Sequence, residues 1–143
     1  MKKLVKLSFF YSMFGMFLGV FYREFTKVNG FTGKTVLGGL HTHALVLGMF
    51  FFLILLLLEK LFDITKHKRF NLFLITYNIG LLLMVVMMTV RGCVEVLNLE
   101  ISTMMDSSIS GVAGISHIIM AIAYILFFVI LLNRINETSS EKM

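Results

Sequence analysis

A bundle of four transmembrane α-helices is the fold this sequence predicts, and three observations predict it. Of 143 residues, 58% are hydrophobic and only 15% charged, where a soluble domain carries about half and about a quarter. Charged residues withdraw from four long stretches, each near the roughly 20 residues that a helix needs to cross a bilayer. The chain has no Pro, so nothing in it forces a helix break. Its single cysteine, Cys93, excludes an internal disulfide and any CxxC metal site.

The first span is expected over 4–21. Lys2, Lys3 and Lys6 give it the look of a secretory leader, but its apolar run is too long and Gly-Val-Phe-Tyr-Arg-Glu-Phe follows without a small-x-small cleavage pattern, so it stays as a helix. The loop over 22–35 holds the turn residues Asn29, Gly30 and Gly33. The second span is expected over 36–58 and the third over 70–90, with the basic run Lys66-His67-Lys68-Arg69 between them. Asp106-Ser107-Ser108 offers an N-cap for the fourth, over 109–132, and the polar tail 133–143 is expected to fray. The whole chain reads as one integral membrane domain.

Orientation follows from the basic residues. An N-terminus in the cytoplasm puts Lys2, Lys3, Lys6, Lys60, Lys66, Lys68, Arg69, Arg134 and Lys142 inside and Arg23, Lys27, Lys34 and Arg91 outside, so both termini are expected in the cytoplasm of a plasma-membrane protein. The formal charge of +5 is explained by this topology. The basic loop is therefore an anchor for anionic lipid heads, and no nucleic-acid partner is expected.

Histidines at membrane depth are the informative residues, because a titratable ring in hydrocarbon is costly and marks a site by default. His67 lies in the basic loop and reads as solvated. His41, His43 and His117 fall in one outer-leaflet layer, their depths agreeing within roughly a helical turn. His41 and His43 are two residues apart, about 200° of rotation, so they cannot both face one site. Gly38, Ala44, Leu45 and Gly48 share the face of His41; Ser110, Gly114, Met120, Ala121 and Tyr124 share that of His117. Such small-residue faces permit close helix packing with an interhelical hydrogen bond, or they clear a slot for a porphyrin with His41 and His117 as axial ligands. Two histidines at matched depth favour the slot. His43, on a bulkier face, is expected toward lipid or a second subunit.

A bare Zn²⁺ or Cu²⁺ wants three or four ligands, and the nearest carboxylates, Glu24, Glu95 and Glu100, lie at or beyond the boundary. Met84, Met87, Met88 and Met120 supply soft donors for Cu⁺ or, more commonly, flexible core filler. Arg91 and Arg23 end their spans where haem propionates would lie, as does Lys34 before the second span; ordinary snorkelling and an Arg91–Glu95 pair one turn apart are the plainer expectation.

Tyr22-Arg23-Glu24-Phe25, Gly30-Phe31-Thr32-Gly33, Leu40-His41-Thr42-His43-Ala44, Val90-Arg91-Gly92 and the run from Ile109 to His117 resemble, across nearly the whole chain, a small bacterial four-helix membrane family of unknown function. Leu40-His41-Thr42 is also similar to the helix start in haem-copper oxidase catalytic subunits whose His ligates the low-spin haem. That likeness implies His41 as an axial ligand.

The expected function is a membrane cytochrome holding haem b by His41 and His117, for electron transfer to an unknown redox partner or for haem sensing and handling. A homodimer is compatible with Gly15 and Gly19 on the first span. The alternatives are a copper- or zinc-binding transport protein that uses all three histidines and the Met cluster, and a structural accessory subunit whose histidines only bridge helices. No nucleophile with a base, no paired carboxylates and no phosphate loop point to an independent catalyst.

Overall fold

Each of the four apolar runs becomes a helix long and apolar enough to cross a membrane in the computed structural model, which describes residues 1–140. The helices are α1 (Lys2–Val28), α2 (Val36–Phe62), α3 (Phe70–Val96) and α4 (Thr103–Ser140). No strand occurs among the described residues. Lys142, one of the charges counted for orientation, lies outside them. Both described ends of the chain and the 63–69 turn share one end of the bundle, called here the terminal end; the 29–35 and 97–102 loops share the far end.

The helices outrun the apolar stretches because backbone hydrogen bonding does not stop where side chains turn polar. Past Phe21, α1 continues to Val28 and ends where Gly30, at φ +60°, turns the chain. The start of α4 differs from the expected cap. Ser102 Oγ accepts from the Met105 amide at 3.2 Å, whereas Ser108 already lies inside the helix and donates to Met104 O. This earlier cap puts Asp106 in the first turn, where the helix dipole favours a carboxylate.

The other end of α4 also departs from expectation. Of the 133–143 tail expected to fray, residues 133–140 continue the helix, held by Arg134, whose Nε donates to Phe62 O at 3.0 Å and whose guanidinium pairs with Glu137; the last three residues lie outside the described ones. Asn133 Nδ2 and His67 Nε2 lie 3.3 Å apart, so His67 is engaged rather than merely solvated. The neighbouring turn is fixed by Glu59, which accepts from Thr65 N and Oγ1 at 2.8 and 2.6 Å. At this turn the Lys66 ammonium, hydrogen-bonded to Asp63, holds the Asp63 carboxyl below its ordinary pKa.

In α2 the backbone changes pitch three times. A 3₁₀ turn (Val36–Gly39) and an α-turn (Leu40–His43) lead into a π segment (Ala44–Phe50) before regular α-helix resumes at Phe51. A widened turn leaves carbonyls poorly served, and no water reaches them inside a bilayer. Neighbouring helices supply the donors: Ser8 Oγ donates to Met49 O at 3.0 Å, and Tyr77 OH to Leu47 O at 2.7 Å.

Small residues set how closely α1 and α2 approach. Tyr11 lies over Gly48, Leu45 and Ala44 lie over Gly15, His41 over Gly19, and Tyr22 over Gly38, giving an antiparallel ladder with one rung per turn. Lipid is as apolar as leucine, so this contact rests on close van der Waals fit. Gly15 and Gly19 are thus used within the chain.

The terminal half of the bundle is filled by aromatic rings. Phe51 stacks on Tyr77 at 4.6 Å between centroids and meets Tyr124 and Phe127 edge-on, while Tyr11 stacks on Phe52. Here α4 reaches α2. Toward the far end α4 packs along α3 instead and leaves α2. Large apolar side chains such as Phe9, Phe17, Leu57, Ile118 and Ile125 are exposed around the outside, as a lipid-facing surface requires.

Candidate functional site: a cleft between α2, α3 and α4

The divergence of α2 and α4 leaves a cleft of about 310 Å³ in the far half of the bundle. Met87, Met88 and Arg91 of α3 form its floor, Val36 and His43 of α2 one wall, and Ile109, Ala113 and His117 of α4 the other. A ligand-sized space begins at about this volume. The lining is apolar apart from the two imidazoles and the guanidinium.

Each imidazole is oriented by its own helix. His43 Nδ1 donates to Gly39 O at 2.8 Å, and His117 Nδ1 donates to Ala113 O at 2.8 Å. A carbonyl can only accept, so Nδ1 carries a hydrogen, and a ligand that takes a lone pair from the ring has Nε2 to take it from. A metal-ligating histidine takes this form: one nitrogen satisfied by a backbone carbonyl, the other available. Gly39 keeps the near wall thin, since a Cβ there would lie 3.2 Å from the Met88 methyl and 3.6 Å from His43 Nδ1. His117 is exposed on the surface that lipid covers, although a polar ring there is costly.

The pairing differs from the one expected. His43, rather than His41, shares a cleft with His117. His41 faces α1, with Gly19 against its Cβ, its Nδ1 buried without a hydrogen-bond partner and its Nε2 3.4 Å from Thr42 Oγ1. The rotation of about 200° between positions 41 and 43 holds, but α2 is sandwiched between α1 and α3, so both of its faces point inward. The small residues around His41 serve helix packing. Those beside His117 do not make a slot either: a Cβ on Gly111 or Gly114 would meet nothing within 4 Å.

Arg91 lies on the cleft floor, but its partner is not Glu95. Nη1 donates to Asp106 Oδ1 at 2.7 Å and Nη2 to Ser110 Oγ at 2.6 Å, both across the hairpin on α4. Glu95 accepts from the Val36 amide at 2.9 Å and so satisfies the start of α2. Arg23 is away from the cleft, its exposed side chain 3.8 Å from Glu24. The methionines divide: Met84 and Met120 are buried in the packed core, Met120 against Gly80, while Met87 and Met88 line the cleft. Among the described residues no three of His, Cys, Asp and Glu gather as a metal site. Asp106 was visible in the sequence only as a helix cap; its sign opposite to Arg91 across a tight hairpin was the available signal of their pairing.

A family model described as "Protein of unknown function (DUF2871)" matches residues 1–134. No curated protein and no solved structure matches the chain.

Proposed function

As a multi-pass membrane protein belonging to that family of unknown function, the chain has to be read from its own cleft, and we propose that it is a membrane b-type haem protein in which His43 and His117 would hold the iron. One observation carries this reading. Two imidazoles on opposite walls of one cleft each spend Nδ1–H on their own helix and keep Nε2 free. A porphyrin needs only two protein ligands, which is what the cleft offers, whereas a structural zinc site needs four. The apolar lining suits the macrocycle. Iron bound by two histidines exchanges ligands poorly, so the role is electron transfer with a redox partner, or haem handling, rather than gas chemistry.

The excess of basic residues on the terminal side supports an orientation with both termini cytoplasmic and this cleft in the outer leaflet. The test is direct: full-length protein purified from haem-replete cells shows a Soret band and about one iron per chain. Colourless protein from such cells refutes the proposal. A second reading is favoured by Met87 and Met88, whose thioethers beside the two histidines make a soft donor set for Cu⁺. It predicts bound copper without a Soret band.

A further inference from the structure

Arg91 lines the cleft with His43 and His117, yet its guanidinium is spent on α4. Nη1 donates to one oxygen of Asp106 at 2.7 Å, and Nη2 donates to the neutral hydroxyl of Ser110 at 2.6 Å. A guanidinium is a planar fork that fits both oxygens of a carboxylate at once. Asp106 fills half of that fork, and a weaker acceptor fills the rest. Nor does Asp106 depend on Arg91 for its own place: its side chain is half exposed and sits in the first turn of α4, where the helix dipole already favours a negative charge. The Arg91 side chain is only 32% exposed, so a better-fitting anion there would meet it with little competition from water.

We infer that Asp106 and Ser110 hold a carboxylate seat at Arg91, and that a carboxylate arm of a tetrapyrrole in the cleft displaces Asp106 from it. Asp106 is then a built-in competitor: it lowers affinity for the ligand and makes the cleft selective for the free acid over neutral forms of the same ring. The inference rests on the haem reading above and adds the acid group as the recognised feature.

The experiment uses the full chain in lipid nanodiscs, titrated with iron protoporphyrin IX and with its dimethyl ester, and corrected for empty nanodiscs. The ester keeps the ring and the iron and lacks any carboxylate. The wild-type protein is expected to bind the acid at least about tenfold more tightly than the ester. Asp106→Asn widens that ratio by strengthening acid binding and Arg91→Gln brings it near one, while circular dichroism and thermal unfolding of each variant report that it is folded. Two results overturn the seat and leave the haem reading standing: equal acid and ester affinity in wild-type protein whose Soret band still depends on His43 and His117, or weaker acid binding in Asp106→Asn. Absence of a Soret change with either porphyrin overturns both.

Discussion

At the scale of single residues, chemistry is decided by which nitrogen of an imidazole is already engaged. His43 and His117 have their Nδ1 hydrogens on carbonyls four residues back, a bond that any helix offers to a histidine in the right rotamer. The sequence shows that these rings are expensive at membrane depth, but rotamer and tautomer are properties of the folded helix. The same scale explains the hydroxyls. Tyr77 OH serves the Leu47 carbonyl within the π segment, so Tyr77→Phe leaves that carbonyl without its donor and is expected to lower stability by about 1 kcal/mol. Thermal unfolding in detergent measures this. An unaltered midpoint would show that the widened turn needs no donor from α3.

At the scale of elements, the sequence located the helices well and their ends unevenly. The starts of α2 and α3 were legible because a turn-rich loop precedes Val36 and a basic run precedes Phe70. The start of α4 was not, since Ser102, Asp106 and Ser108 are all competent caps and only the folded hairpin selects Ser102. The π segment of α2 has no sequence signature, because it depends on donors from two other helices. Close approach is the element-level constraint that can be tested. A Cβ at Gly48 would collide with the Tyr11 ring, and one at Gly92 with the Leu37 side chain. Gly48→Ala is expected to destabilise by about 1–3 kcal/mol despite its better helix propensity. Gly111→Ala meets open space and should be neutral or slightly stabilising. Denaturant or heat titration of the two variants in one detergent compares them; equal effects would mean that the α1–α2 contact is looser than the structure shows.

For the whole molecule, the arrangement of neighbours mattered more than any pattern within a helix. Periodicity separated His41 from His43, but it could not tell that α1 covers one face of α2 while α3 and α4 leave a cleft along the other. The expected His41–His117 pair followed small residues, and those beside His41 are packing surface for α1 while Gly114 beside His117 meets open space. Net orientation, by contrast, is an expectation drawn from the basic residues alone, and labelling tests it. With Cys93 replaced by Ala, a membrane-impermeant thiol reagent added to intact cells should label Thr32→Cys and leave Lys68→Cys untouched until the cells are opened. The reverse pattern would invert the topology and put the cleft in the cytoplasmic leaflet. The Soret band of three alanine variants, expressed beside the wild-type protein in haem-replete cells, tests the proposed haem site most directly. His43→Ala and His117→Ala should each lose the six-coordinate spectrum while His41→Ala keeps it; loss in His41→Ala with retention in His43→Ala would contradict the cleft as the haem site.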